Sequence, residues 1–163
     1  MSLAQSFQAE LQHEAANTRK ILALIPADQA DWTPHAKSFT LGKLAVHTAD
    51  MHRWIGVTVR QTELDFAKDG ASPVYTSTAD LLATFDAHVA DAVASFDGVS
   101  DDDLQVMWTL RMGAHVILSM PRAACLRTFV FNHIIHHRAQ LTVYLRMLDI
   151  PIPGLYGPSA DER

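Results

Sequence analysis

Residues 131–140 read FNHIIHHRAQ, with three histidines in five positions of a stretch that is otherwise apolar and helical in period. Extended in both directions, it places Leu126, Phe129, Val130, His133, His137, Gln140, Leu141, Tyr144 and Leu148 at steps of three and four, the spacing of one helical face. Pro121 suits the first turn of this helix, because a missing N–H costs nothing there. The tail DIPIPGLYGPSADER, 149–163, has three prolines and two glycines and cannot extend it.

Three further helices precede this one. Leu3, Phe7, Leu11, Ala15, Thr18, Leu22 and Ile25 form a stripe that Pro26 ends. The stretch 26–39 has no period and reads as a loop long enough to cross a bundle end. Thr40 is an N-cap, and from Leu41 to about Lys68 the residues Leu44, His47, Met51, Trp54, Ile55, Thr58 and Gln61 predict one long second helix. GASPVYTS, 70–77, is a turn. Leu81, Phe85, His88, Val89, Ala92 and Phe96 then mark a third helix, with Asp80 in its first turn and Gly98 at its end. Before the last helix, the alternation of Val106, Trp108 and Leu110, then Gly113 and the β-branched pair Val116 and Ile117, predicts a short hairpin-like connection. The expected fold is all-α: a four-helix bundle over a single domain, 1–163, with its topology open.

The 163 residues are 48% hydrophobic and 19% charged, apolar enough that a partner surface, and so a homodimer, is expected. The 13 basic residues are scattered and the formal charge is -5, which argues against nucleic acid. Arg, His or Pro breaks every long apolar stretch, and MSLAQSFQAELQHEAANTRK does not read as a leader, so a cytoplasmic protein without a membrane span is expected. Cys125, the only cysteine, sits in an apolar helical pattern as a small hydrophobe would.

On a helix, His133 and His137 stand one turn apart and can aim ring nitrogens at one ion, although the same spacing also serves ordinary surface or core histidines. Both continue the apolar stripe and are expected to face the core, where imidazole nitrogens need partners. His136 competes for the inward position; His137 is favoured because it lies in line with Leu141 and Tyr144. One helix supplies only one side of a coordination shell, and the second helix offers His47 beside Leu44, Met51 and Trp54. Asp50, within a turn of His47, is either an acceptor behind that ligand or a solvent-facing acid. His52 falls between the stripes and is read as surface, as are His13, His35 and His88. Ile134 stands where a zinc protease would need glutamate, and the one Glu-x-x-His pair, Glu10 with His13, lacks the second such pair that a di-iron site needs.

HTADMHRW in the second helix, NHIIHHRAQLTVYLRMLDIPIPGLYGPSADE in the last, and the order of elements over nearly the whole chain resemble the DinB/YfiT-like superfamily of metal-binding four-helix bundles. The resemblance implies one divalent ion, zinc or nickel among the options, on His47, His133 and His137. It also implies a homodimer, and in some members a reaction dependent on a low-molecular-weight thiol. Two functions are then expected as alternatives: a metal-dependent thiol transferase or hydrolase, or a non-catalytic metal- or small-ligand-binding stress-response dimer. A bundle without metal is the third reading. His136, Arg138 and Gln140 are candidates near the mouth of such a site; their plainer readings are a surface histidine, a solvated or salt-bridged arginine and a polar flank. The loop 100–121 carries no legible motif, and Tyr156 and Asp161 read as tail packing.

Overall fold

The computed structural model describes residues 1–69 and 73–162; the expected turn at Gly70, Ala71 and Ser72 lies outside them. Helix α1 (Leu3–Leu22) starts at a reciprocal cap, in which Ser2 Oγ accepts from the Gln5 N–H at 3.2 Å and Gln5 Oε1 accepts from the Ser2 N–H at 2.9 Å. Its stripe of Phe7, Leu11, Ala15 and Leu22 is buried as the period predicts. Helix α2 (Leu41–Asp50) is capped by Thr40, α3 spans Arg53–Arg60, and α4 (Thr78–Ala94) is capped by Ser77. Helix α5 (Arg122–Cys125) runs through a π-helical stretch, Leu126–Phe131, into α6 (Asn132–Met147). α1 packs against α4 and α6, and α2 packs against the same two. The first two helices therefore lie across from each other, and 26–39 crosses the end of the helical core.

The long second helix expected over 41–68 is two helices and a strand. At the break, the Thr48 carbonyl pairs with His52 Nδ1 at 3.1 Å, while the His52 N–H turns to the Ala49 carbonyl at 3.3 Å, one residue nearer than an α-helix requires. A side chain that takes a backbone acceptor competes with the helical ladder and bends it. His52 is accordingly buried at 0% exposure, edge-on to Phe85 at 4.7 Å, and is not the surface residue its position between stripes suggested. His88 also differs: it is half-buried, whereas His13 and His35 are exposed as expected.

The fold is mostly helical but not all-α. The expected hairpin is present as β2 (Met107–Met112) and β3 (His115–Pro121), and β1 (Glu63–Asp65) adds a parallel strand beside β2. Asp65 ties the pieces together: its Oδ1 accepts from the N–H groups of Gly113 at 2.8 Å and Ala67 at 3.0 Å, and Gly113 supplies the positive φ of the hairpin turn. Trp108 and Leu110 face the core, which explains the alternation read from the sequence. Pro121 ends β3 and caps α5 instead of opening the helix as its first residue. Cys125 is buried, and burial pushes its thiol up to about 11, consistent with an inert core residue.

Burial drives the His52 imidazole down to about 4 from its ordinary 6.5, and its Nε2 has no hydrogen-bond partner among the described residues. The unfolded chain thus takes up this proton first as pH falls. Stability is full above about 6.5, is lost between 6.5 and 4, and changes no further below 4 on this account. The loss amounts to up to about 3 kcal/mol. Urea unfolding of ion-free protein should show that slope, and His52→Gln should flatten it; an unchanged slope would refute the assignment.

Candidate metal centre

One face of the molecule gathers His47 from α2 with His133 and His137 from α6, and one ring nitrogen from each lies within 4.8 Å of the others. His133 Nε2 and His137 Nε2 are 2.8 Å apart. On the far side of His137, Nδ1 donates to the Gln140 side-chain oxygen Oε1 at 2.7 Å, which leaves the lone pair on Nε2, turned to the other two rings. His47 is flanked by Phe39 and Trp54, with ring centroids 6.1 and 6.0 Å away, and His133 by Phe129 at 5.8 Å.

These surroundings keep the imidazoles neutral. Burial lowers the pKa of His47, with His137 adding to the effect. Burial, followed by the neighbouring histidines, drives His133 to about 4, and burial also lowers His137 against the opposing bond to Gln140. Three neutral nitrogen donors with their lone pairs turned together are what a divalent ion of the zinc and nickel kind requires, so the donor set fits one such ion. His47 and His133 border a cavity of about 470 Å³ walled by Trp54, Phe66, Leu110, Ile117 and Phe129. Its polar part is an ion cluster. Arg53 donates through Nη1 and Nη2 to Asp69 at 3.0 and 2.8 Å and through Nε to Asp50 at 3.3 Å.

The family whose pattern runs from α1 through the tail, over residues 1–163, is DinB. The chain belongs to the DinB family. The uncharacterized protein YrdA of Bacillus subtilis (strain 168) is 29% identical over 160 residues, which are 96% of this chain and 89% of YrdA. A DinB-like protein from Bacillus cereus ATCC 10987 has a similar fold, with a TM-score of 0.72 and 24% identity over 93% of this chain and 97% of that one. The DinB-like protein YjoA of Bacillus subtilis matches at a TM-score of 0.70 and 16% identity, over 97% of this chain and 99% of YjoA.

The apolar stripe read from the sequence placed His133 and His137 toward the core; both are instead half-buried, with His133 on the cavity wall, and the core positions of those turns belong to Ile134 and Arg138. The π-helical stretch just before them explains the difference. Its wider turns change the phase of the helix, so the stripe read through Leu126, Phe129 and Val130 does not continue straight into α6, and Phe129 and His133 reach the cavity together. His136 is exposed on the flank, its ring 4.9 Å from that of His137. Gln140 stands behind His137, and Asp50 lines the cavity but pairs with Arg53.

Arg138 is not at the mouth. One residue beyond His137, it turns about 100° further round the helix and points at α1. It is 1% exposed, 2.6 Å from Glu14 Oε2, and bonded to the Glu14 carbonyl, Thr18 and the Tyr156 hydroxyl. Sequence reading missed this network, together with Arg53, Asp69 and the aromatic walls. A buried acid one turn from Thr18 on α1 was its only local sign. Tyr156 and Asp161 do hold the tail: Tyr156 donates to Glu14 at 2.7 Å, and Asp161 pairs with Arg146 at 2.5 Å.

Proposed function

We propose that this DinB protein is a metal-dependent enzyme of thiol-transferase or hydrolase type, with His47, His133 and His137 holding one ion, zinc or nickel, in a mononuclear site. The observation that carries this reading is that three half-buried imidazoles converge where two of them, His47 and His133, line an open cavity, and not in a closed interior. Closed donor sets suit structural ions, whereas a set facing a cavity leaves coordination positions for a ligand. An ion bound there supplies Lewis-acid charge, which lowers the pKa of a thiol or water and favours its nucleophilic form near pH 7.

The chain's own residues do the rest. Gln140 holds the His137 tautomer, Trp54 and Phe129 keep bulk water from one side of the imidazoles, and the exposed His136 stands beside His137 where it can take a proton to solvent. Asp50 and Asp69 hold Arg53 against the cavity wall. A second copy of the chain is the proposed partner. The edge strand β3 supports this, since its Val116 and Ile117, with Met107 and Met112 across the hairpin, are exposed apolar side chains.

One observation favours the non-catalytic alternative: an ion on these residues would clamp α2 to α6, as a structural ion does. Turnover separates the two. Tag-free protein carrying about one ion per chain should conjugate a thiol to an electrophile, or hydrolyse an ester, in a panel of such pairs. That activity should vanish on chelation and return with added zinc or nickel. Ion-loaded protein that turns over no pair, but loses much of its melting temperature on chelation, would overturn the enzyme reading and leave the alternative.

A further inference from the structure

We propose that His52 is a positioning residue of the centre: by folding the second helical stretch at its own position, it sets Trp54 against the ring of His47. This deepens the metal-centre reading above and rests on it. His47 depends on such support. Gln140 stands behind His137, whereas the ring of His47 has no hydrogen bond among the described residues. It lines the cavity walled by Trp54 and also a second cavity, of about 570 Å³, lined by Phe39. One aromatic ring from each of those cavities fixes its plane, Trp54 at 6.0 Å and 76° and Phe39 at 6.1 Å and 82°.

Trp54 reaches His47 because the helix is broken between them. On a straight α-helix, residues seven apart are separated by about 10 Å along the axis. Here three tighter bonds replace the α-helical ladder. The N–H groups of His52, Trp54 and Ile55 donate to the carbonyls of Ala49, Met51 and His52 at 3.3, 3.1 and 3.2 Å, each three residues back. The resulting bend brings Trp54 to His47 and leaves it stacked on Phe129 at 5.5 Å and 2°, while α2 and α3 both stay packed on α4.

The His52 side chain fills the vacated place in the ladder. Its Nδ1 donates to the Thr48 carbonyl at 3.1 Å, the acceptor that the His52 N–H would use in an unbroken helix. A carbonyl only accepts, so the proton is on Nδ1 and Nε2 is left with a bare lone pair. That nitrogen is buried without a partner among the described residues, and the ring is edge-on to Phe85. A leucine would fill the same place in the core with no orphaned atom and would let the helix run on. An unmet polar atom in the core is explained by the geometry it enforces, and here that geometry is the approach of Trp54 to a ligand.

Nuclear magnetic resonance of ion-free protein tests this without relying on turnover. Long-range proton-nitrogen correlation spectra should show the His52 proton on Nδ1, and nuclear Overhauser contacts should join the rings of His47 and Trp54. His52→Leu, which removes the donor, should lose those contacts while remaining folded, and should weaken zinc by about tenfold in chelator competition. His52→Asn, whose side-chain amide donates from the same place, should keep both the contacts and the affinity. A role in packing alone predicts the reverse order, since leucine fills the core better than asparagine. A wild-type His52 proton on Nε2, contacts and zinc affinity retained in folded His52→Leu, or loss of both in His52→Asn overturns the proposal. Wild-type protein that binds no zinc overturns the metal reading instead, and the tautomer and the ring contacts then decide the positioning role by themselves.

Discussion

Alanine at His133 or His137 should leave the purified protein without a stoichiometric ion, and alanine at His136 should leave ion content unchanged. The three residues sit within five positions of one helix, so composition alone predicts equal effects; the geometry does not. His133 and His137 turn nitrogens toward His47, and His136 lies exposed on the flank. His47→Ala should match the two ligand variants, because the third donor comes from another helix. Gln140→Leu should lower affinity by about 10–100-fold, the usual cost of losing the group that orients a ligand histidine, and the ligand variants should lose more than that. Elemental analysis with chelator competition measures all five proteins. One ion per chain in His133→Ala would refute the site. The lowered pKa of each ligand also means that protons compete for these nitrogens only below the ordinary histidine range, so ion binding should hold through pH 6.5.

Arg138→Met should destabilise the protein by about 3–5 kcal/mol, the largest stability loss expected from a single replacement outside the apolar core. The guanidinium is 1% exposed and carries bonds to Glu14, Thr18 and Tyr156, so it joins α6 to α1 and to the tail. Methionine fills much of the same volume, yet it leaves the Glu14 carboxylate at 10% exposure with only the Tyr156 hydroxyl to meet its charge. The double variant Glu14→Gln with Arg138→Met removes both charges and should recover most of the loss. Urea unfolding gives the free energies, and the melting temperature of the single variant should fall by roughly 10 °C. A single variant as stable as the wild type, or a double variant no better than the single, would show that this pair is not what ties the elements together.

Helices α1 and α4 were legible because each has a clean stripe, a side-chain cap and a marked end, all properties of neighbouring residues. The hairpin was legible from alternation around Gly113. Strand β1 was not. Glu63–Asp65 is too short to show a period, and its strand character comes from pairing with β2, more than forty residues away. The break at His52 was hidden for a related reason, since the side chain that causes it leaves the spacing of Leu44, Met51 and Trp54 intact.

The sequence by itself determined the histidines at ligand spacing, the helical period of most of the chain and the presence of a third histidine on a second helix. These depend on contacts one turn apart, which residue spacing encodes directly. Only the tertiary structure decided which neighbours those residues meet: that His133 joins His47 on a cavity wall and His137 is half-buried beside it and not in the core, that Arg138 is buried against Glu14 while Arg53 lines the cavity, and that two cavities share His47. Helix phase after a π-helical stretch and pairing between distant segments set those contacts, and neither leaves a local period to read.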